Sequence, residues 1–500
     1  MKKVIGSVVV LALLLACAPW GMGRIAEARV NSGLDKVVKE APYIKIAERR
    51  WTHGWFHSEQ TVTFEFVLPK LPGAPKPVAA FADAAPAAET PAPEASAIPQ
   101  LPKGLPSLPA GPIRFTLHND VTHGPLLGSS GIGLARLQTR LLVSDEIRKK
   151  IEEIFGAGDI VSISTRMGLF GGGTTTFSGK ARSIELAKFG KASQKGTIGW
   201  DDFNLVVGIG RTAGTYEVQG RQPRIEVSEG EGGDHFLMTN LTLDGSGSRV
   251  TKDLYDGGVV MGVGKVSATS ARAPAFEMQA IKYGANSSRK GEFMDYGVEL
   301  GTGAVHAAQL EAQGFQVKEV HYDMTMRHLH IETLQKLMES LKAVSTKSLD
   351  GTATNPAQMQ AAIMQPLMEH GIELLKHDPQ LTLDRIALVT ADGEGLIKGV
   401  VKLEGVTDQD VTAGVMAIIP KVNADLTVEI AEALANKIPS AAPMVGMAVA
   451  QGFLKRENGK LISHIEFKHS GLTVNGKLPL PSGLPFGRGA PNPSQTVPAQ

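Results

Sequence analysis

The chain is 500 residues long, 42% hydrophobic and 5% aromatic, with 51 basic and 50 acidic side chains and a formal charge of +1. Balanced charge at that hydrophobicity describes a globular protein and excludes both a polyanion-binding basic protein and an acidic disordered tail. Cys17 is the single cysteine, which excludes an intramolecular disulfide and leaves the fold to core burial alone.

Lys2-Lys3 opens the chain, followed by an uncharged run from Val4 to Met22 that includes Leu11 and Leu15 and sets Trp20 where an interfacial aromatic would sit. The run reaches the roughly 20 residues that a spanning helix needs. Lysines ahead of it favour a cytoplasmic N-terminus and an exported remainder. Export removes the body from the ATP and NAD pools and sets aside reactions that need them. Three fates fit this segment. A retained anchor is favoured, giving a single-pass protein with its bulk outside the cytoplasm. The second is a lipoprotein, with Leu14-Leu15-Ala16-Cys17 as cleavage box and Cys17 acylated. In the third, cleavage at Ala26-Glu27-Ala28 yields a soluble secreted protein.

Residues 23–40 place Ile25, Val30, Leu34, Val37 and Val38 at near-helical spacing, so a short amphipathic connector helix is expected. Period two follows. Tyr43-Ile44-Lys45-Ile46 leads to Trp51, a Thr52-His53-Gly54 turn, and a strand over Thr61–Phe66 with Val62, Phe64 and Phe66 on one face. Twelve of the 29 prolines then fall between Pro69 and Pro112, which describes an extended or disordered linker. Its flanks look alike, Ile44…Thr52-His53-Gly54 before it and Ile113…Thr122-His123-Gly124 after it. The linker therefore reads as an insertion between two adjacent strands.

A β-rich body follows, with strands expected over 134–143, 160–167, 175–186, 198–207, 236–243, 259–268, 276–284 and 317–326. Glycine-rich turns between them favour antiparallel pairing, because parallel crossovers need helices that the pattern lacks. Helical spacing begins near Thr333, with Leu334, Leu337, Met338 and Leu341 on one stripe. Asn355-Pro356 suits a helix start, and Pro366 should kink or split the helix it begins. A hairpin is expected over Leu381–Leu403, then helices near Val428–Ile438 and Ala442–Lys455, then closing strands Leu461–Phe467 and Leu472–Gly476. The expected fold class is α+β: an extended, curved, mostly antiparallel sheet with helices packed on one side. Its segments are an anchor over 1–22, a helix and first strands over 23–68, the insertion over 69–112, a body over 113–478 and a proline-rich tail over 479–500.

Three motifs stand out in order along the chain. They are Trp51…His53-Gly54-Trp55-Phe56-His57-Ser58, Asp120-Val121-Thr122-His123-Gly124-Pro125 and Gly471-Leu472-Thr473-Val474-Asn475-Gly476-Lys477. Together they resemble the YdgA-like family of bacterial inner-membrane-anchored periplasmic proteins, with Trp51, Gly54, Phe56, Ser58, His123, Gly124, Pro125, Asn475 and Gly476 at the motif positions. The resemblance implies a retained anchor, a periplasmic α+β body and a homodimer, and it carries no catalytic residues. The long proline-alanine insertion, Cys17, and Thr122 in place of an aspartate depart from the family pattern.

No catalytic, cofactor-binding or metal-binding residue is expected, and no cofactor. His321, Asp323, His328 and His330 are close in sequence, but strict alternation puts the first two on the opposite face from the last two. His53 and His123 occupy matching turns and could meet across paired strands, without a third ligand to complete a site. Gly171-Gly172-Gly173 is a hairpin turn lacking the lysine of a phosphate loop. Basic residues are scattered, so nucleic acid is not an expected partner. Six of sixteen methionines lie between Met324 and Met368, a composition suited to an irregular core or an adaptable apolar groove. The expected function is a non-enzymatic, membrane-anchored envelope protein that binds lipid or another apolar component. Its expected partners are the membrane, through the N-terminal helix, and a second copy. The alternatives are a self-associating structural module and a hydrolase with an unrecognised site.

Overall fold

The computed structural model describes residues 2–41, 43–66, 113–128, 131–143, 145–189, 195–230, 233–271, 273–349, 356–437 and 441–477, with backbone alone over 2–17. The insertion at 69–112, the tail at 479–500, and the side chains of Val4, Leu11, Leu15 and Cys17 lie outside the described residues.

The period-two segments form one sheet of 22 strands whose neighbours all pair antiparallel. β1 (Ile44–Thr52), β2 (His57–Phe66), β3 (Ile113–His123) and β4 (Ala135–Leu142) lie side by side in that order. Helix α2 (Asp145–Phe155) intervenes in sequence before β5 (Ser162–Met167) and β6 (Gly173–Gly179) continue the sheet. β7 (Arg182–Glu185) and β8 (Thr197–Trp200) form a side ladder, while β9 (Phe203–Ile209) pairs with β6. β10 (Thr215–Ser228) takes both β9 and β8 along one edge.

A meander follows through β11 (His235–Arg249), β12 (Tyr255–Thr269), β13 (Phe276–Lys290) and β14 (Phe293–Thr302). β15 (Val305–Ala307) fills a corner, and β16 (Val317–His330), β17 (Gln380–Thr390), β18 (Gly393–Leu403) and β19 (Val422–Ala431) carry on. β20 (Lys455–Glu457) and β22 (Gly471–Val474) flank the far edge of β21 (Lys460–Lys468), which pairs with β19.

Helix α1 runs unbroken over Lys2–Glu40, so the expected anchor and connector are one helix. Its inward stripe is Met22, Ala26 and Val30, packed on Val121, Leu134, Ala135 and Leu137, whereas Ile25 and Val37 are exposed. Spacing of i, i+4, i+8 on small and apolar residues explains the choice, since Ala26 lets the helix lie close to the sheet. Among the described residues no helix is long and apolar enough to cross a membrane. The short α3 (Ala308–Ala312) precedes α4 (Ile331–Leu349); α5 (Pro356–Pro366) ends at its proline, and a π-helical turn leads to α6 (Ile372–Leu375). Leu334 and Leu337 of α4 and Leu374 of α6 bury Leu254, Met294 and Leu329 in a second core.

Five strands escape the sequence pattern, β10, β14, β15, β19 and β20. β10 carries Gly220 and Pro223, which argue against a central strand. The ladder accommodates the proline by skipping it, opposite Asn240 at φ 53°. β14 is ten residues long and runs through Gly297, a residue that weakens the local strand signal. The helix expected near Val428–Ile438 is strand to Ala431 and helix only over Glu432–Asn436, because Val428 and Ile430 complete the sheet against Ser463 and Leu461.

Register makes the two faces unlike. Directly opposed residues share a face, and one such row runs Gln60–Asn119–Thr139–Ile163–Phe177–Leu205–Gly220–Leu243, then Met261–Tyr283–Leu300–Tyr322–Ile386–Ile397–Val428. The reverse face carries ion pairs such as Lys282–Glu299 at 2.7 Å and Arg385–Glu394 at 3.0 Å. Ser58 opposes Val121, and the row through them crosses the sheet to Val298 and Met324, so α1 and α4 both pack on the apolar-row face.

Candidate functional site

The motif residues of β2 and β3 converge under α1. Ser58 and His123 are each 2% exposed. The His123 Nδ1–H donates to the backbone carbonyl of Pro19 at 2.7 Å, and because a carbonyl only accepts, this fixes the tautomer. Nε2 then accepts from the Ser58 hydroxyl at 2.9 Å, and Ser58 Oγ accepts from the Gly54 N–H at 3.4 Å. Burial is the largest influence on His123 and lowers its pKa below the ordinary histidine value, with the Pro19 bond acting the other way.

Glycines make the approach feasible. A Cβ at Gly23 would stand 2.8 Å from His123 Cε1, and one at Gly54 would collide with the His57 carbonyl. Gly124 holds φ at +128° with Pro19 packed beside it. Further ties fix the same helix: Arg29 donates to the Gly168 carbonyl at 2.9 Å, and Arg49 pairs with Asp35 at 2.7 Å. A buried Ser–His pair can pass a proton between its two members. Here both groups are enclosed, and the arrangement works as a latch between α1 and the sheet.

Trp51 packs on the core beneath α1, Phe56 offers its carbonyl to the His123 N–H at 2.9 Å, and the Pro125 carbonyl accepts from Gly133. Trp20 is exposed and stacks under Arg24, while Met22 faces the sheet. At the far end, Asn475 at φ 49° accepts from His464 N–H and donates to the Gly452 and Phe453 carbonyls, closing the last hairpin together with Gly476 at φ 76°. The two ends of the motif set are thus separate structural ties.

His53 and His123 do not share a partner: His53 bonds Arg24 at 2.8 Å and faces Glu27 at 3.4 Å. The alternation expected across His321–His330 is overturned by a β-bulge. Met294 opposes Leu329 and Tyr296 opposes Met326, and His328 at the bulge has φ 61°. His330 therefore returns to the face of His321 and Asp323, opposite Phe293, Gly301 and Glu299. Phe293 and Gly301 are eight residues apart on β14, about 27 Å, so the four still form no single site. His328 instead stacks on Phe293 and donates to the His377 carbonyl, while His330 stacks on His377.

A further chemically uniform feature is the row itself. From Phe177 to Val428 it crosses eleven strands without a charge, about 48 Å at the spacing of paired strands. Met261, Tyr283, Leu300, Tyr322 and Ile397 are exposed along it, Leu300 at 48%. Where α1 covers the same row, the residues are polar: Asn119 donates to Gln60 at 2.8 Å and accepts from Thr139. Ordinary burial is inverted, with amides under protein and apolar side chains in the open. Helix α4 packs on the strand ends at Met294 and Tyr296. Leu337 is buried, whereas Met338, Met364 and Met368 are exposed on the helices.

Fold and site together define a mostly antiparallel β-sheet protein with some helices and an open apolar face. The chain belongs to a bacterial protein family of unknown function, DUF945, which matches residues 1–481. No curated protein and no solved structure matches it.

Proposed function

We propose that this protein is a membrane-anchored envelope protein that receives acyl chains on its open apolar row and carries out no chemistry on them. The carrying observation is the uncharged row from Phe177 to Val428, apolar where exposed and polar where covered. Exposed contiguous apolar surface of this extent marks a binding face. Its length favours lipid tails: the acyl layer of one leaflet is about 15 Å, half of a ~30 Å bilayer core, so the row offers successive stations for a tail. The narrower resemblance to YdgA-like proteins supports an inner-membrane anchor in the apolar run that begins at Val4, ahead of the Pro19–Met22 segment that packs on the sheet, and a periplasmic body. Under that reading α1 leads from the membrane onto the covered end of the row.

The competing hydrolase reading would rest on Ser58 and His123, whose burial argues for the latch instead. Native mass spectrometry of gently extracted protein tests the proposal. A co-purified lipid on a monomer is the expected result. A lipid-free dimer would transfer the face to a second copy and support the self-associating module.

A further inference from the structure

The outer face of β2 and β3, opposite the latch, gathers two imidazoles and two carboxylates. Glu59 on β2 stands directly opposite Asp120 on β3, and His57 and His118 flank them diagonally. His118 Nε2 lies 3.3 Å from Asp120 Oδ1 and His57 Nε2 lies 3.9 Å from the same oxygen. Ligand atoms of His57, Glu59 and Asp120 all fall within 4.8 Å of one another. Like charges directly opposed in a ladder are destabilising. Among the described residues no lysine or arginine pairs with either carboxylate. The other group of this kind, Asp425–His464–Glu466, already has Lys468 on Glu466 at 3.0 Å.

We infer that His57, Glu59, His118 and Asp120 form a binding site for a divalent transition cation of the zinc class. Two nitrogens and two oxygens suit zinc, whereas calcium and magnesium take oxygen alone. Metal–ligand bonds of about 2.0–2.1 Å set tetrahedral ligand edges near 3.4 Å; His57, Glu59 and Asp120 stand within 4.8 Å of one another, and His118, 3.3 Å from Asp120, completes the set by turning toward them. Thr61 Oγ1 lies 3.5 Å from His118 Nδ1, the position of an outer partner that directs Nε2 toward the metal. Bound metal would cross-link β2 to β3 at the strands that the 67–112 segment joins.

The test uses tag-free full-length protein, stripped with chelator and titrated with Zn²⁺ by calorimetry, with Co²⁺ absorption as a second readout. One zinc per chain is expected, with visible cobalt bands of a four-coordinate site. Asp120→Asn and His118→Gln should each weaken zinc at least tenfold, and His464→Gln should leave it unchanged. Metal-free melting of Asp120→Asn should match or exceed the parent, since one like-charge pair is gone, while added zinc should raise the melting temperature of the parent alone. Unchanged zinc affinity in the Asp120→Asn/His118→Gln double variant, or no binding by the parent, would overturn the site.

Discussion

His123 places its Nδ1 2.7 Å from the carbonyl oxygen of Pro19, a contact across 104 residues that joins the sheet to the N-terminal helix. A histidine spent on a backbone carbonyl fixes position more than chemistry. The carbonyl specifies the tautomer, the tautomer lets Ser58 donate, and Ser58 in turn accepts from Gly54. Removing any one member leaves a buried polar group of the next without its partner, at about 1–3 kcal/mol.

Gly23→Ala separates packing from propensity. Alanine in a helix interior is favoured over glycine by roughly 1 kcal/mol, so an unpacked position would gain stability. Here the new methyl meets the His123 ring, and a net loss of about 1–3 kcal/mol is expected. Urea denaturation gives the sign, and hydrogen exchange along residues 18–40 should show faster opening of the helix.

Acid should loosen the same latch. The folded pKa of His123 is held below the unfolded value of 6.5, so between the two values the unfolded chain binds more protons. The latch's contribution is complete above pH 6.5 and is lost as pH falls through the folded pKa. The expected result is a melting temperature that declines below pH 6.5 with a slope that His123→Asn reduces, although that variant is less stable at pH 7.5. An NMR titration placing His123 at or above 6.5 would contradict this.

Adjacent residues of α4 should behave oppositely. Leu337→Ala empties part of the core shared with Met294 and Leu329 and should cost about 2–5 kcal/mol. Met338→Ala, at a position 40% exposed, should lie within about 0.5 kcal/mol of the parent in the same assay.

Much of the sheet was legible in residue spacing. Val62, Phe64 and Phe66 alternate as β2 does, and the Asp392-Gly393 turn divides the hairpin of β17 and β18 where the glycine takes φ +122°. Strands with Gly220, Pro223 or Gly297 were hidden because the partner strand, not the local sequence, accommodates those residues. The latch was visible only as motif letters: nothing in Thr122-His123-Gly124 says that its partner is the carbonyl of Pro19. The apolar row was not legible either, since each strand contributes one residue to it and the row exists only in the register.

The acyl-binding claim meets its most direct test in equilibrium binding of an environment-sensitive fluorescent fatty acid, below micelle formation, to delipidated parent protein and to Leu300→Glu. Leu300 is half-exposed in the middle of the row, so the substitution should leave the melting transition within about 0.5 kcal/mol. Saturable binding by the parent, competition by natural lipid, and a loss of at least tenfold in affinity on introducing the charge are expected. Binding of equal strength by Leu300→Glu, or no saturable binding by the parent, would contradict it.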